Sequence, residues 1–401
     1  LLLSNPDLFY SEPFMKTPPG SALERLTSGL LSMNGPPQRQ RRKLMMPAFH
    51  KKRIETYRDD MVAVTQQVLD GWRPGARLDI AREMQKLTLR IASKALFGLD
   101  TTAQADQLGG MIKRWLNLLD SIGPALFPVD LPGMPLHRLL HLSERLEAGI
   151  TAMIARKRAT LGDDRDVLAM LIQARDEDGG GLSDAELIGQ ATVLFIAGHE
   201  TSSNALTWTL FLLSQHPRVL DELCEELHGA LRGDAPSIEQ LDRLPLLERV
   251  IKESMRLLPP ASLSLRVSTA PLELGPYQLP RGATVFFSQY ITHHMPELYP
   301  EPQRFLPERW LTINPSVYEY LPFGAGPRMC IGATFALFEI KIALALILQR
   351  YRLELRRGAR IDRRLRITLS PQHGMPMVVL PPDRSVAPQR PRGNVNEMVA
   401  L

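Results

Sequence analysis

Between Ser183 and Gln215 the sequence writes one long apolar helix, and a helix of that length has to run through the middle of whatever the chain builds. Gly179-Gly180-Gly181 precede it, Ser183 with Glu186 makes a capping box, and His216-Pro217 stops the run. At 1.5 Å per residue it spans roughly 50 Å, about the width of a domain this size. Its middle departs from the pattern. Ala197-Gly198-His199-Glu200-Thr201 sets a glycine and two ionisable side chains into an otherwise apolar stretch. Glycine there costs about 1 kcal/mol relative to alanine, and a buried charge costs more. Something at this point should offset that cost.

Elsewhere, Glu248 to Leu258 reads as a helix closed by Pro259-Pro260. Leu272-Glu273-Leu274 and Thr284-Val285-Phe286-Phe287 read as short strands, with turns at Gly275-Pro276 and Arg281-Gly282. Leu311 to Phe323 lacks periodicity, Cys330 to Arg350 reads as a second strongly apolar helix, and Arg352 to Leu380 alternates like terminal strands. The expected fold class is mainly α with a minor β-sheet region. No repeat or Ser- or Gly-rich linker divides the chain, so residues 1–380 read as one domain and the Pro- and Arg-rich residues 381–401 as a mobile tail. Leu1-Leu2-Leu3-Ser4-Asn5-Pro6 reads as the interior of a domain whose first portion is missing.

Composition narrows the function classes. At 44% hydrophobic and 23% charged residues over 401 positions, disorder is not the default. No stretch approaches roughly 18 uninterrupted apolar residues, so no membrane segment is expected and the location expected is cytoplasmic. Two cysteines, Cys224 and Cys330, exclude a disulfide framework and a four-cysteine metal site and fit a reducing compartment. The net charge of +5 comes largely from arginine, notably Arg39-Gln40-Arg41-Arg42-Lys43 and Arg356 to Arg366, and reads as a solvated basic face, with no nucleic-acid partner expected.

The sharpest local signal is Phe323-Gly324-Ala325-Gly326-Pro327-Arg328-Met329-Cys330-Ile331-Gly332. Two glycines and a proline shape a tight loop, and the cysteine is expected where the next helix begins. Backbone N–H groups and the helix dipole favour an anion there, which points to a thiolate at Cys330. Arg328 stands where it could meet the carboxylate of a bound cofactor. The pattern Phe-x-x-Gly-x-Arg-x-Cys-x-Gly, filled at Phe323, Gly326, Arg328, Cys330 and Gly332, resembles the haem-binding loop of the cytochrome P450 family. The resemblance implies the cytochrome P450 fold, haem b as cofactor, Cys330 as the iron ligand and Arg328 as a propionate contact. A thiolate ligand of that kind donates electron density to iron.

Further elements of that family follow in order. Glu-x-x-Arg is matched by Glu253 and Arg256, and Pro-Glu-Arg-aromatic by Pro307-Glu308-Arg309-Trp310. An i, i+3 pair is ordinarily a surface ion pair worth a few tenths of a kcal/mol, but the resemblance implies that Glu253, Arg256 and Arg309 form a buried structural triad bracing the cysteine loop. Ala197-Gly198-His199-Glu200-Thr201 resembles the family's oxygen-activating segment. There Glu200 and Thr201 would act as the catalytic acid and hydroxyl, while Ala197 and Gly198 give the cofactor room. Arg42 and Arg266 match propionate-binding positions. Gln38 stands where the family commonly has Trp or His, and its amide can still donate a hydrogen bond. The resemblance also implies that Leu194, Ala197, Gly198, Thr201, Ala261, Leu263 and residues near Leu369 line an apolar substrate pocket. It covers about Leu30 to Leu380.

Rival readings fail on single positions. A zinc hydrolase needs His-Glu-x-x-His, but position 203 is Ser; a dinucleotide turn needs a third glycine, but position 329 is Met. Relatives that use peroxide directly or rearrange oxygenated substrates typically lose the acid-Thr pair, which Glu200-Thr201 keeps, and a non-catalytic relative would lose the cysteine. The function expected is therefore monooxygenation of an apolar molecule with electrons from NAD(P)H. No flavin-, nicotinamide- or iron-sulfur-binding segment is visible, so a ferredoxin or flavodoxin with its reductase is expected as partner, with Arg39, Arg41 and Lys43 as candidates for its docking face.

Overall fold

The computed structural model describes residues 2–11, 17–99, 102–160, 162 and 166–401, and groups them in two compact units where the sequence reads one domain. Helices dominate both, with four small sheets. No helix among the described residues is long and apolar enough to cross a membrane.

The first unit holds residues 1–53, 89–198 and 265–285. Its helices Thr102–Leu119 and Pro135–Ala159 pack together. Their seam is closed by the buried Trp115 indole, which donates to Ser143 Oγ at 2.8 Å, so the one polar atom of a large ring is satisfied inside the core. Leu272–Leu274 and Tyr277–Leu279 form a hairpin around Gly275, whose φ of +58° is the left-handed conformation glycine adopts without strain. The first strand and this turn fall where the sequence places them, and Tyr277–Leu279 is a strand the sequence reading did not name.

The second unit holds residues 54–88, 199–264 and 286–401. Its centre is the helix Ala333–Arg350, buried around nearly its whole circumference, as a helix apolar on every side must be. Arg58–Leu69 and Pro217–Leu231 pack against it. Pro376–Leu380 forms the central strand of a three-stranded antiparallel sheet between Arg77–Asp79 and Arg352–Leu355. Met377 pairs with Leu355 and Val379 with Leu353, so the period-2 alternation puts these four side chains in the core.

Two expectations are corrected. The apolar helix starts at Ala333, not at Cys330, because Cys330 closes the preceding turn by donating its N–H to Phe323 O at 2.8 Å. The residues after Pro381 are not a free tail. Val395, Met398 and Val399 lie one helical turn apart and are buried, and Arg392 exchanges backbone hydrogen bonds with Ala359 and Ile361. The composition of that segment hid three well-spaced apolar side chains.

Candidate functional site

In the second unit, the loop before Ala333–Arg350 is shaped by Gly324 and Gly326, at φ +67° and +69°. A side chain at either would be strained in this left-handed region. The short turn Gly326–Arg328 follows, closed by Met329 N–H to Gly326 O at 3.0 Å. Cys330 is exposed, and a Cβ on Gly332 would stand 4.0 Å from its Sγ, an ordinary van der Waals contact. Arg328 is half-buried on the same turn and Phe323 half-buried at its start. The other thiol, Cys224, is pushed up to about 11 by burial, which makes it a poor nucleophile and a poor metal ligand at neutral pH.

Beneath this loop is a buried ion-pair cluster. Glu253 and Arg256 on the helix Pro245–Leu257 are both 0% exposed, with Arg309 close behind. Arg256 Nε and Nη2 each donate to the Glu253 carboxylate at 2.9 Å, and Arg309 Nε joins at 2.8 Å. The Trp310 indole at 3.0 Å and the Leu306 N–H at 3.0 Å complete the set. The spare guanidinium N–H groups go to carbonyls of Pro300, Pro302 and His293. Burial of such charges is costly unless hydrogen bonds meet the groups taken out of water, and here each nitrogen of both guanidiniums has an acceptor.

His293, which the sequence reading missed, carries the connection onward. Its carbonyl accepts from Arg256, and its Nε2 accepts the Leu321 N–H at 2.7 Å. That acceptance needs a neutral ring, and burial, reinforced by the Arg256 charge, pushes the imidazole down to about 3. Leu321 O in turn accepts from Gly324 N–H at 3.0 Å. Triad and cysteine loop are thus joined by consecutive hydrogen bonds. No sequence motif marks His293.

The long helix forms as read, over Asp184–Gln215, with the Ser183 and Glu186 capping box. Between Leu187 and Ser214 it is exposed at Ala197 alone, and Ile196 and Gly198 to Thr201 are half-buried. The interruption therefore coincides with the one opening along the helix. Gly198 has a packing reason too: a Cβ there would stand 2.9 Å from Leu96 Cδ1, so glycine admits the helix Ile80–Phe97 close against it. Thr88 Oγ1 donates to His199 O at 2.9 Å, and Ser203 Oγ to Glu200 O. Thr368 Oγ1 donates to Glu200 Oε1 at 2.8 Å, a contact across 168 positions that no local pattern signals.

The other expected residues divide between the units. Gln38, buried, and Arg42, half-buried, lie one turn apart on the helix Gly35–Met45 of the first unit. Burial holds the Arg266 guanidinium below the usual arginine range. Leu194, in the first unit, is buried. Ala261 and Leu263 belong to the second unit, where Leu263 is 43% exposed. Leu369, read as a pocket residue, is 2% exposed because its N–H bonds Pro260 O and its carbonyl takes the Trp208 indole; Ile367 is the exposed apolar residue beside it. Arg39, Arg41 and Lys43 do not form an open cationic face, since they pair with Asp7, Glu186 and Glu177.

The cytochrome P450 family model matches residues 8–378. A cyclooctat-9-en-7-ol 5-monooxygenase of Streptomyces melanosporofaciens is 34% identical over 346 residues, covering 83% of this chain and 74% of that protein. A cyclooctatin synthase of the same organism is 35% identical over 356 residues, covering 86% and 77%. Among solved structures, retinoic acid-bound cyanobacterial CYP120A1 matches with a TM-score of 0.82 at 26% identity, over 93% of this chain and 84% of that one. The haem domain of cytochrome P450DA matches with a TM-score of 0.82 at 25% identity, over 95% and 84%.

Proposed function

Since the chain belongs to the cytochrome P450 family, we propose that Cys330 presents its thiolate to the iron of haem b. The enzyme then inserts one oxygen atom of dioxygen into an apolar organic molecule and reduces the other to water. Electrons come from NAD(P)H through a separate ferredoxin or flavodoxin and its reductase. The observation that carries this reading is the exposed thiol on a turn fixed by two left-handed glycines and tied through His293 to a buried triad.

The residues present fit a haem. Arg328, Arg42 and Arg266 would hold its propionates through charge-assisted hydrogen bonds. Arg266, already desolvated, is the kind of cation that a carboxylate stabilises. Gln38 adds an amide donor near Arg42. When bound, a thiolate-ligated haem supplies oxygen activation, the sulfur's electron density favouring O–O cleavage.

The chain's own residues do the rest. Ala197 and Gly198 offer an opening without bulky side chains. Thr201 holds a water by its hydroxyl, and Glu200 takes protons from solvent and passes them to that water, general acid work that needs a donor within hydrogen-bond reach. Leu263 and Ala261 give an apolar contact surface for substrate. The activity named for the Streptomyces relative points to an alicyclic, largely hydrocarbon molecule with few polar groups.

Two outcomes test this. With plant ferredoxin, its reductase and NADPH, the haem-loaded enzyme under oxygen-18 dioxygen is expected to add one labelled oxygen to cyclooctat-9-en-7-ol or a related alicyclic alcohol; electron consumption without labelled product from any member of such a panel contradicts monooxygenation. Thr201→Ala is expected to lower product per NADPH several-fold, with peroxide accounting for the difference. Unchanged coupling removes Thr201 from proton delivery.

A further inference from the structure

Glu200 is held by side chains outside its own motif. The Thr368 hydroxyl has one proton, and it goes to Glu200 Oε1 at 2.8 Å. Its second contact, Asn204 Nδ2 at 3.1 Å, must therefore be one it accepts. Amide, hydroxyl and carboxylate thus form a directed chain that ends with its last proton aimed at Glu200. Asn204 and Thr368 are 2% and 4% exposed, whereas Glu200 is half-buried at the opening in the helix.

The tether is anchored at its base. Leu369, the next residue, donates its N–H to Pro260 O at 2.8 Å and accepts the Trp208 indole through its carbonyl at 3.0 Å. The backbone beside Thr368 is thus pinned, and its hydroxyl is presented to Glu200 from a fixed base. A buried threonine needs a partner for its hydroxyl, but that need would be met by any carbonyl nearby. Here the proton goes to the one acid of the interrupted helix segment.

We propose that Thr368 is a positioning residue for the proposed reaction, fixing the Glu200 carboxylate in the orientation from which it delivers protons, with Asn204 setting the direction of the hydroxyl. This rests on the assignment of Glu200 to proton delivery. Hydrogen bonds to charged groups are among the stronger ones in proteins, and Thr368→Val removes this one at nearly constant volume.

The test uses the haem-loaded enzyme as wild type, Thr368→Val, Thr368→Ser, Glu200→Ala and the Thr368→Val, Glu200→Ala double variant. The C–O stretching band of the reduced, carbon monoxide-bound protein reads local polarity. The fraction of NADPH electrons recovered as peroxide, with plant ferredoxin and its reductase, reads proton delivery. Thr368→Val is expected to shift or split the band and raise the peroxide fraction several-fold. Thr368→Ser should restore both, and Thr368→Val should add nothing once Glu200 is gone, as two residues acting as one unit require. An unchanged band and peroxide fraction in Thr368→Val overturns the proposal, and so does a shift that persists undiminished in the double variant. If Glu200→Ala leaves the peroxide fraction at the wild-type level while the band behaves as expected, the tether exists but the proton role of Glu200 falls, and the proposed purpose falls with it.

Discussion

Glu253→Ala is expected to abolish recovery of folded, haem-loaded protein. One carboxylate there accepts from Arg256, Arg309, Trp310 and the Leu306 backbone, with Glu253 and Arg256 fully buried. Its loss strands two guanidiniums away from water. Breaking a buried pair by removing one partner costs about 3–5 kcal/mol, a large part of the roughly 5–15 kcal/mol that holds a typical domain together. The damage should spread along the path from Arg256 through His293 and Leu321 to the cysteine loop. Soluble yield and the ratio of haem to protein absorbance check this. A variant that folds, binds haem and unfolds within about 2 °C of wild type would show that the cluster is not a structural keystone, since even 1 kcal/mol moves the midpoint measurably.

Raising the pH from 6 to 9 should destabilise the wild-type protein more than Glu339→Gln. Glu339 lies fully buried on the helix Ala333–Arg350, and burial pushes its carboxyl up to about 8. The Ser202 hydroxyl eases this only in part, and no charged group contributes to the shift. An unfolded chain releases the proton near pH 4.3. Between that pH and 8 the native state therefore binds more protons than the unfolded one, and stability falls as pH rises. The whole loss is on the order of 5 kcal/mol, with about half of it above pH 6. Glutamine keeps the neutral shape and removes the titration. Thermal midpoints at the two pH values should show the wild type losing several degrees more than the variant, which becomes the more stable of the two at pH 9. Parallel losses would mean that Glu339 is already ionised in the fold.

The features legible in the sequence are those with local grammar. The capping box, the glycine-proline loop, the Gly275 turn and the alternating terminal strands each depend on residues within a few positions of one another, and each forms as read. The Glu253, Arg256 and Arg309 triad was legible through resemblance to a family; an i, i+3 pair alone reads as a surface contact. Contacts set by long-range packing left no trace. Thr368 reaches Glu200 across 168 positions and Arg41 reaches Glu186 across 145, so the tether stayed invisible and the basic run seemed an open docking face. Composition misled at the end of the chain, where Val395, Met398 and Val399 bury themselves despite the prolines and arginines around them.

The central claim is that Cys330 is the iron ligand, and the absorption spectrum of the reduced, carbon monoxide-bound protein tests it most directly, with wild type beside Cys330→Ser. A strongly red-shifted Soret band in wild type that is absent from the serine variant is the result expected of a thiolate ligand at this position. A band at the same unshifted position in both proteins, or a red-shifted band that survives the substitution, would contradict it.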